Sequence, residues 1–215
     1  MSIKPVSSEN KARDLSGILR EGSFDRAEKL HNLGIDSLNN GDFFAAIEYF
    51  KKALECFPEL IETINALGVT YLFIDDIAMA RACFARVLKK DPENYDALIN
   101  MAFVHIKANE FLRSKDLLEK ALRLNPKDPR VKMHLGVVYI KMKEFEKAVI
   151  ILRDLVADKS RLPEPRYHLA RAYLGQKQTE LARRELAIGY HLDPEDQRIS
   201  KLLNECETVL GLRGK

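Results

Sequence analysis

No glycine-rich phosphate loop, Cys-x-x-Cys pair or nucleophile elbow occurs in this 215-residue chain, so the common signatures of nucleotide, redox and hydrolytic chemistry are missing. Cysteine is scarce: Cys56, Cys83 and Cys206 are odd in number, far apart and at helical positions. That excludes a disulfide frame and implies buried or partly buried free thiols in a reducing compartment. No stretch approaches the roughly 20 apolar residues of a membrane span. The opening residues lack the apolar core of a signal peptide, and there is no low-complexity tract. With 46% hydrophobic and 31% charged residues, the expectation is an ordinary soluble, cytoplasmic protein.

What is present is a period. Gly34, Gly68, Ala102, Gly136 and Ala170 recur at a fixed step of 34 residues without an insertion. Ala46, Ala80, Ser114, Ala148 and Ala182 form a second row, and Pro58, Pro92, Pro126 and Pro194 a third, with only Ser160 out of step. Such a period denotes one helix–turn–helix unit stacked five times, over 27–60, 61–94, 95–128, 129–162 and 163–196. Each unit divides into a helix A and a helix B. Small residues such as Gly68 and Ala80 let two helix backbones approach, while Leu67, Tyr71 and Phe84 fill the space around the contact.

The ends of the helices are also written in the sequence. Asp91-Pro92 and Asn125-Pro126 stop helix B, since proline cannot continue a helix and pushes the preceding residue to extended geometry. Asp128-Pro129 opens the next helix with a capping acceptor and a first-turn proline. Gly41 and Asn109 suit the left-handed residue that closes helix A. Asp75, Lys143 and Lys177 at that offset do not, so those three turns are expected to close differently. In the fourth unit Leu155 replaces a small residue, and Pro163 and Pro165 crowd the next start. An irregular turn, a late start of the fifth unit or a change of pitch would each accommodate them.

Segments flank the array on both sides. Residues 1–26 contain an amphipathic stretch, Ser8 to Glu21, with Ala12, Leu15, Ile18 and Leu19 on one face. It would cover the first unit or dock into a groove. Residues 197–210 place Ile199, Leu202, Leu203, Cys206, Val209 and Leu210 at helical spacing, and residues 211–215 form a tail.

Leu67-Gly68 with Tyr71, Leu135-Gly136 with Tyr139, and Leu169-Ala170 with Tyr173, followed by the Ala, Phe, Ala and Pro offsets, resemble the tetratricopeptide repeat. The resemblance covers 170 of the 215 residues. It implies an all-α fold, a right-handed superhelical solenoid of five repeats with a C-terminal capping helix and a short N-terminal helix. It also implies a protein-interaction scaffold or adaptor rather than an enzyme, with no catalytic residues, cofactor or metal.

In such arrays the second, fifth, ninth, twelfth and thirteenth positions of each repeat face the concave surface. The ninth positions read Ile35, Val69, Phe103, Val137 and Arg171. With Asn65, Phe73, Ile99, Met133 and Tyr167 they give a largely apolar groove, which Lys107, Arg130, Lys141 and Arg171 would equip to orient an acidic or polar part of a ligand. A groove this apolar suits an amphipathic helix or an extended peptide with Leu, Ile or Phe anchors. The alternative is tight winding that partly buries these side chains.

Other partners fit less well. The carboxylate clamp that grips chaperone tails in this family needs a lysine and asparagines at set offsets. Its best frame here, Asn65, Val69, Asn100, Arg130 and His134, lacks the lysine, so chaperone tails are not expected. His134 and His168 share an offset in neighbouring helices, but two imidazoles do not complete a zinc site. His105 reads as a core residue. Acidic residues interleave with Arg166, Arg171, Arg183 and Arg184, and no basic row carries aromatic platforms, so no nucleic acid is expected. Charge is uneven: the first two repeats hold 7 basic and 11 acidic residues, the next two 14 and 9. That asymmetry would steer an elongated partner or join copies head to tail. A self-assembling scaffold, using the N-terminal helix or the charged halves, is therefore the alternative function.

Overall fold

The computed structural model describes residues 22–157 and 162–212. The candidate helix over Ser8–Glu21 and the substitution at Ser160 lie outside them. Eleven α-helices follow one another: α1 Ser23–Asn39, α2 Phe43–Cys56, α3 Ile61–Phe73, α4 Ile77–Lys90, α5 Tyr95–Lys107, α6 Phe111–Leu124, α7 Pro129–Lys141, α8 Phe145–Ala157, α9 Pro163–Gly175, α10 Thr179–Leu192 and α11 Gln197–Val209. There is no strand among the described residues, and the architecture is all-α. No helix of the described residues is long and apolar enough to cross a membrane.

The chain divides into two compact units, up to Asn100 and from Met101. In the first, α1 packs on α2, α2 on α3 and α3 on α4, and the A helices α1 and α3 also touch. In the second, each helix from α6 to α11 packs on the next, and the A helices α7 and α9 touch.

One side-chain pair recurs at the heart of each helical hairpin. Counted from residues 27, 61, 95, 129 and 163, the twenty-fourth position is Phe50, Phe84, Leu118, Leu152 and Leu186, all with no exposed surface. The small row Ala46, Ala80, Ser114, Ala148 and Ala182 is equally buried. The eighth position faces the large residue closely. A methyl built on Gly34 would lie 2.4 Å from the Phe50 ring, on Gly68 2.7 Å from Phe84, and on Gly136 2.6 Å from Leu152. Where the eighth position is Ala102 or Ala170, the twenty-fourth is leucine rather than phenylalanine. Volume is shared across the two glycine–phenylalanine and two alanine–leucine pairs, as close-packed interiors require, while Gly136 with Leu152 is the smallest of the five.

The three-residue turns between A and B helices correct the sequence expectation. Asp75, Asn109, Lys143 and Lys177 all have φ of 59–61°, and Gly41 has 77°, so the five turns close alike. In each, the left-handed residue's N–H donates to a carbonyl three residues back, and the next N–H to one five residues back, at 2.8–3.2 Å. This is the Schellman arrangement. A β-carbon in the left-handed region costs about 1–2 kcal/mol. The paired backbone bonds and the two docked helices impose it regardless of side chain. The residue after it also starts helix B: the Asp42 carboxylate accepts from the Ala45 N–H at 3.1 Å, and Asp76 from Met79 at 3.0 Å.

The prolines act as read. Phe57, Asp91, Asn125 and Asp193, each before a proline, are extended with ψ of 89–92°. Helix α9 begins at Pro163, 34 residues after α7 begins at Pro129, so the fifth unit does not start late. Pro163 takes the first helical position, where no N–H is needed. Pro165 still lies in the first turn, whose N–H groups have no intrahelical acceptor.

Two stability outcomes are expected. Gly68→Ala should lower stability by about 1–2 kcal/mol despite alanine's better helix propensity, whereas Gly136→Ala should cost less, under about 1 kcal/mol, because Leu152 can shift as the leucines facing Ala102 and Ala170 do. Equal urea-midpoint losses at the two sites would show that the facing side chain does not set the limit. Lys177→Gly should raise stability by about 0.5 kcal/mol, the relieved strain being partly offset by glycine's greater freedom when unfolded. An unchanged or lower midpoint would mean the left-handed turn is not strained.

Candidate functional site

The A helices carry the sequence-predicted site residues, and the two units treat them differently. In the first unit Ile35, Asn65 and Val69 are half-buried, and Phe73 is 61% exposed. The Phe73 ring stacks on Phe43 at 5.2 Å between centroids, 7° from parallel. Ile99 is only 4% exposed and therefore packs rather than presenting an anchor. The Asn65 amide is engaged as well: its Nδ2 donates to Asn94 Oδ1 at 3.2 Å, the atom that also accepts from the Ala97 N–H at the start of α5. Thr63 Oγ1 and His31 Nδ1, 3.0 Å apart, tie α3 to α1 beneath this face.

In the second unit the aromatic residues sit among cations. Phe103 is half-buried, with the His134 ring 5.7 Å away and Lys107 Nζ 6.0 Å from its centroid. Tyr167 has the Arg171 guanidinium at 5.7 Å and that of Arg198, from α11, at 5.1 Å. Met133 and Val137 lie half-buried on α7, and Lys141 is exposed at its end. Arg130 is exposed but held: its guanidinium grips Asp128, with Nη2 2.9 Å from Oδ2, and its N–H is capped by the same carboxylate at 2.7 Å. Nearby, the Glu164 carboxylate accepts from Arg198 at 2.6 Å and lies 3.0 Å from His168 Nε2.

Burial governs the titration of this region. It pushes the His134 imidazole below its usual value, with Arg130 acting in the same direction. Burial also lowers His168 more strongly than Glu164 raises it. For Glu164, burial alone would raise the carboxyl, yet Arg198 and His168 hold it below the usual range. The result is neutral imidazoles beside an ionised carboxylate whose charge is already matched. His105, expected in the core, is 8% exposed, with Nδ1 2.7 Å from Glu110 Oε2.

Sequence reasoning missed a cavity of about 520 Å³ between the start of α7, the end of α8 and the start of α9. Arg130 and Met133 border it, but most of the wall comes from residues not singled out as a site: Pro129, Lys132, Leu155, Leu162 and Pro165. One wall residue, Lys132, stands at the fourth position of its repeat. There Leu30, Ile64 and Leu98 are at most 3% exposed, whereas the fourth and fifth repeats have Lys132 and Arg166. Lys132 runs its stem along the cavity wall and sends its ammonium to Asp154. Arg166 pairs likewise with Glu185 at 2.7 Å. The switch from Leu, Ile, Leu to Lys, Arg was the available signal.

Models of the tetratricopeptide repeat match residues 27–60, 61–94 and 111–161. No curated protein matches the sequence. Among solved structures, the fold is similar to PilF of Pseudomonas aeruginosa, with a TM-score of 0.76 at 20% identity over 90% of this chain and 88% of that one. It is similar also to TTC0263, a thermophilic TPR protein of Thermus thermophilus, with a TM-score of 0.66 at 20% identity over 85% and 99%. YrrB, described as a TPR protein with an unusual peptide-binding site, gives 0.67 at 16% identity over 91% and 97%. Identities this low speak for the fold alone. The 34-residue recurrence of helix starts, the small-against-large pairing and the matched models together make this chain a member of the tetratricopeptide repeat family.

Proposed function

We propose that the protein is a non-catalytic, cytoplasmic adaptor that binds an amphipathic helix or extended peptide on its A-helix surface. The supporting observation is the half-buried aromatic pair Phe103 and Tyr167, each with cations over its ring. Such rings offer a ligand apolar contact area, while Lys107 and Arg171 attract its acidic groups. Met133 and Val137 on α7 of the same unit extend the apolar surface, and Lys141 adds a cation at the end of that helix; in the first unit Ile35 and Val69 are apolar A-helix positions of their own. A peptide-binding role is one described for YrrB, whose fold is similar.

Affinity capture from native extract tests this reading. Phe103→Glu with Val137→Glu, checked for unchanged helical circular dichroism, should lose at least one partner that the wild type retains, with binding weakened tenfold or more. If the double variant keeps every partner at wild-type level, the A-helix surface is not where the protein binds.

A further inference from the structure

We propose that the 520 Å³ cavity at the α7, α8 and α9 ends is the anchor pocket for the peptide ligand, and that it takes one Leu-, Ile- or Phe-sized side chain flanked by a carboxylate. The inference rests on the adaptor reading and specifies where its ligand is held. Three observations carry it. The first is size. The corresponding place in the second repeat, bounded by Ile64 and Val87, encloses about 360 Å³. Both lie within the roughly 300–1,000 Å³ of ligand pockets, and the space beside Lys132, at about 520 Å³, is the larger of the two.

The second is the wall. Pro129, Met133, Leu155, Leu162 and Pro165 line it, and Leu162 at its mouth is 64% exposed. Leu162 stands at the N-cap of α9 without a side-chain hydrogen bond, where a polar residue would stabilise the helix, so helix capping does not account for this leucine. The third is charge. Asp154 is matched by Lys132, Glu164 by Arg198, and Asp128 by Arg130. Lys127, also on the cavity wall, is exposed and has no ion-pair partner among the described residues. A cationic ligand would meet only carboxylates already engaged. An anionic one meets Lys127 beside an apolar hole, which fixes both the polarity and the register of the bound segment.

The test uses the full-length protein with ¹³C-labelled leucine, valine and methionine methyls, titrated with three capped octapeptides. One has a Leu-Leu pair flanked by aspartates, one has lysines in place of the aspartates, and one has serines in place of the leucines. The aspartate peptide is expected to shift the Leu155 and Leu162 methyls. The lysine peptide should bind at least tenfold more weakly, and the serine peptide should leave those methyls unmoved. Lys127→Glu should reverse the preference between aspartate and lysine. Leu162→Asp, which also supplies α9 with a better cap and so keeps or raises Tm, should weaken the aspartate peptide tenfold or more. Shifts confined to Val137, with Leu155 and Leu162 silent, would overturn the pocket while leaving the adaptor reading intact. No shift at any methyl, or equal binding of the aspartate and lysine peptides, would overturn it as well. The adaptor reading is then decided separately, by whether the double variant loses partners in the capture experiment.

Discussion

The closeness of two helix backbones at the eighth position governs the rest of this molecule. Gly34 and Gly68 leave room for Phe50 and Phe84, and the pairs with alanine use leucine instead. Interiors at crystal-like density tolerate neither a void nor, against a phenylalanine ring, an extra methyl at such a contact. Helix A and helix B, held at this distance, are joined in every repeat by a three-residue connection. The turn geometry, the start of helix B and the direction in which the remaining A-helix side chains project all follow from it.

Because that framework repeats, function has to reside where the repeats differ. The fourth position changes from buried Leu30, Ile64 and Leu98 to Lys132 and Arg166, whose charged ends find Asp154 and Glu185. Long stems replace branched apolar groups, and a cavity lies beside Lys132. The second unit therefore combines apolar walls, aromatic rings under cations and a matched network around Glu164, whereas the first presents the stacked rings of Phe43 and Phe73.

Much of this was legible because the rules involved are local. The small rows, the prolines and the helical periodicity identify the elements, since each depends on a few neighbouring residues. The left-handed Lys143 and Lys177 were not legible: their conformation is imposed by two helices and a pair of backbone bonds, against side-chain preference. Site residues were legible as positions but not as states. Ile99 sits on an A helix yet is buried, Asn65 is spent on Asn94, and Arg130 is held by Asp128. Those engagements arise from partners distant in sequence or two residues away in a cap, which a periodic template does not encode. Arg198, from the last helix, contributes to the surface around Tyr167 although it lies beyond the repeats.

The turns also free the chain in one respect. Their closure uses backbone atoms alone, so the left-handed positions accept Gly41, Asp75, Asn109, Lys143 and Lys177 with one geometry. The residues after them run Asp42, Asp76, Glu110, Glu144 and Gln178. The turn pairs therefore pass from anionic to cationic along the chain with no change in architecture. Electrostatic potential can thus be adjusted at these corners independently of the core, giving evolution a dial for encounter rates and solubility that leaves packing untouched.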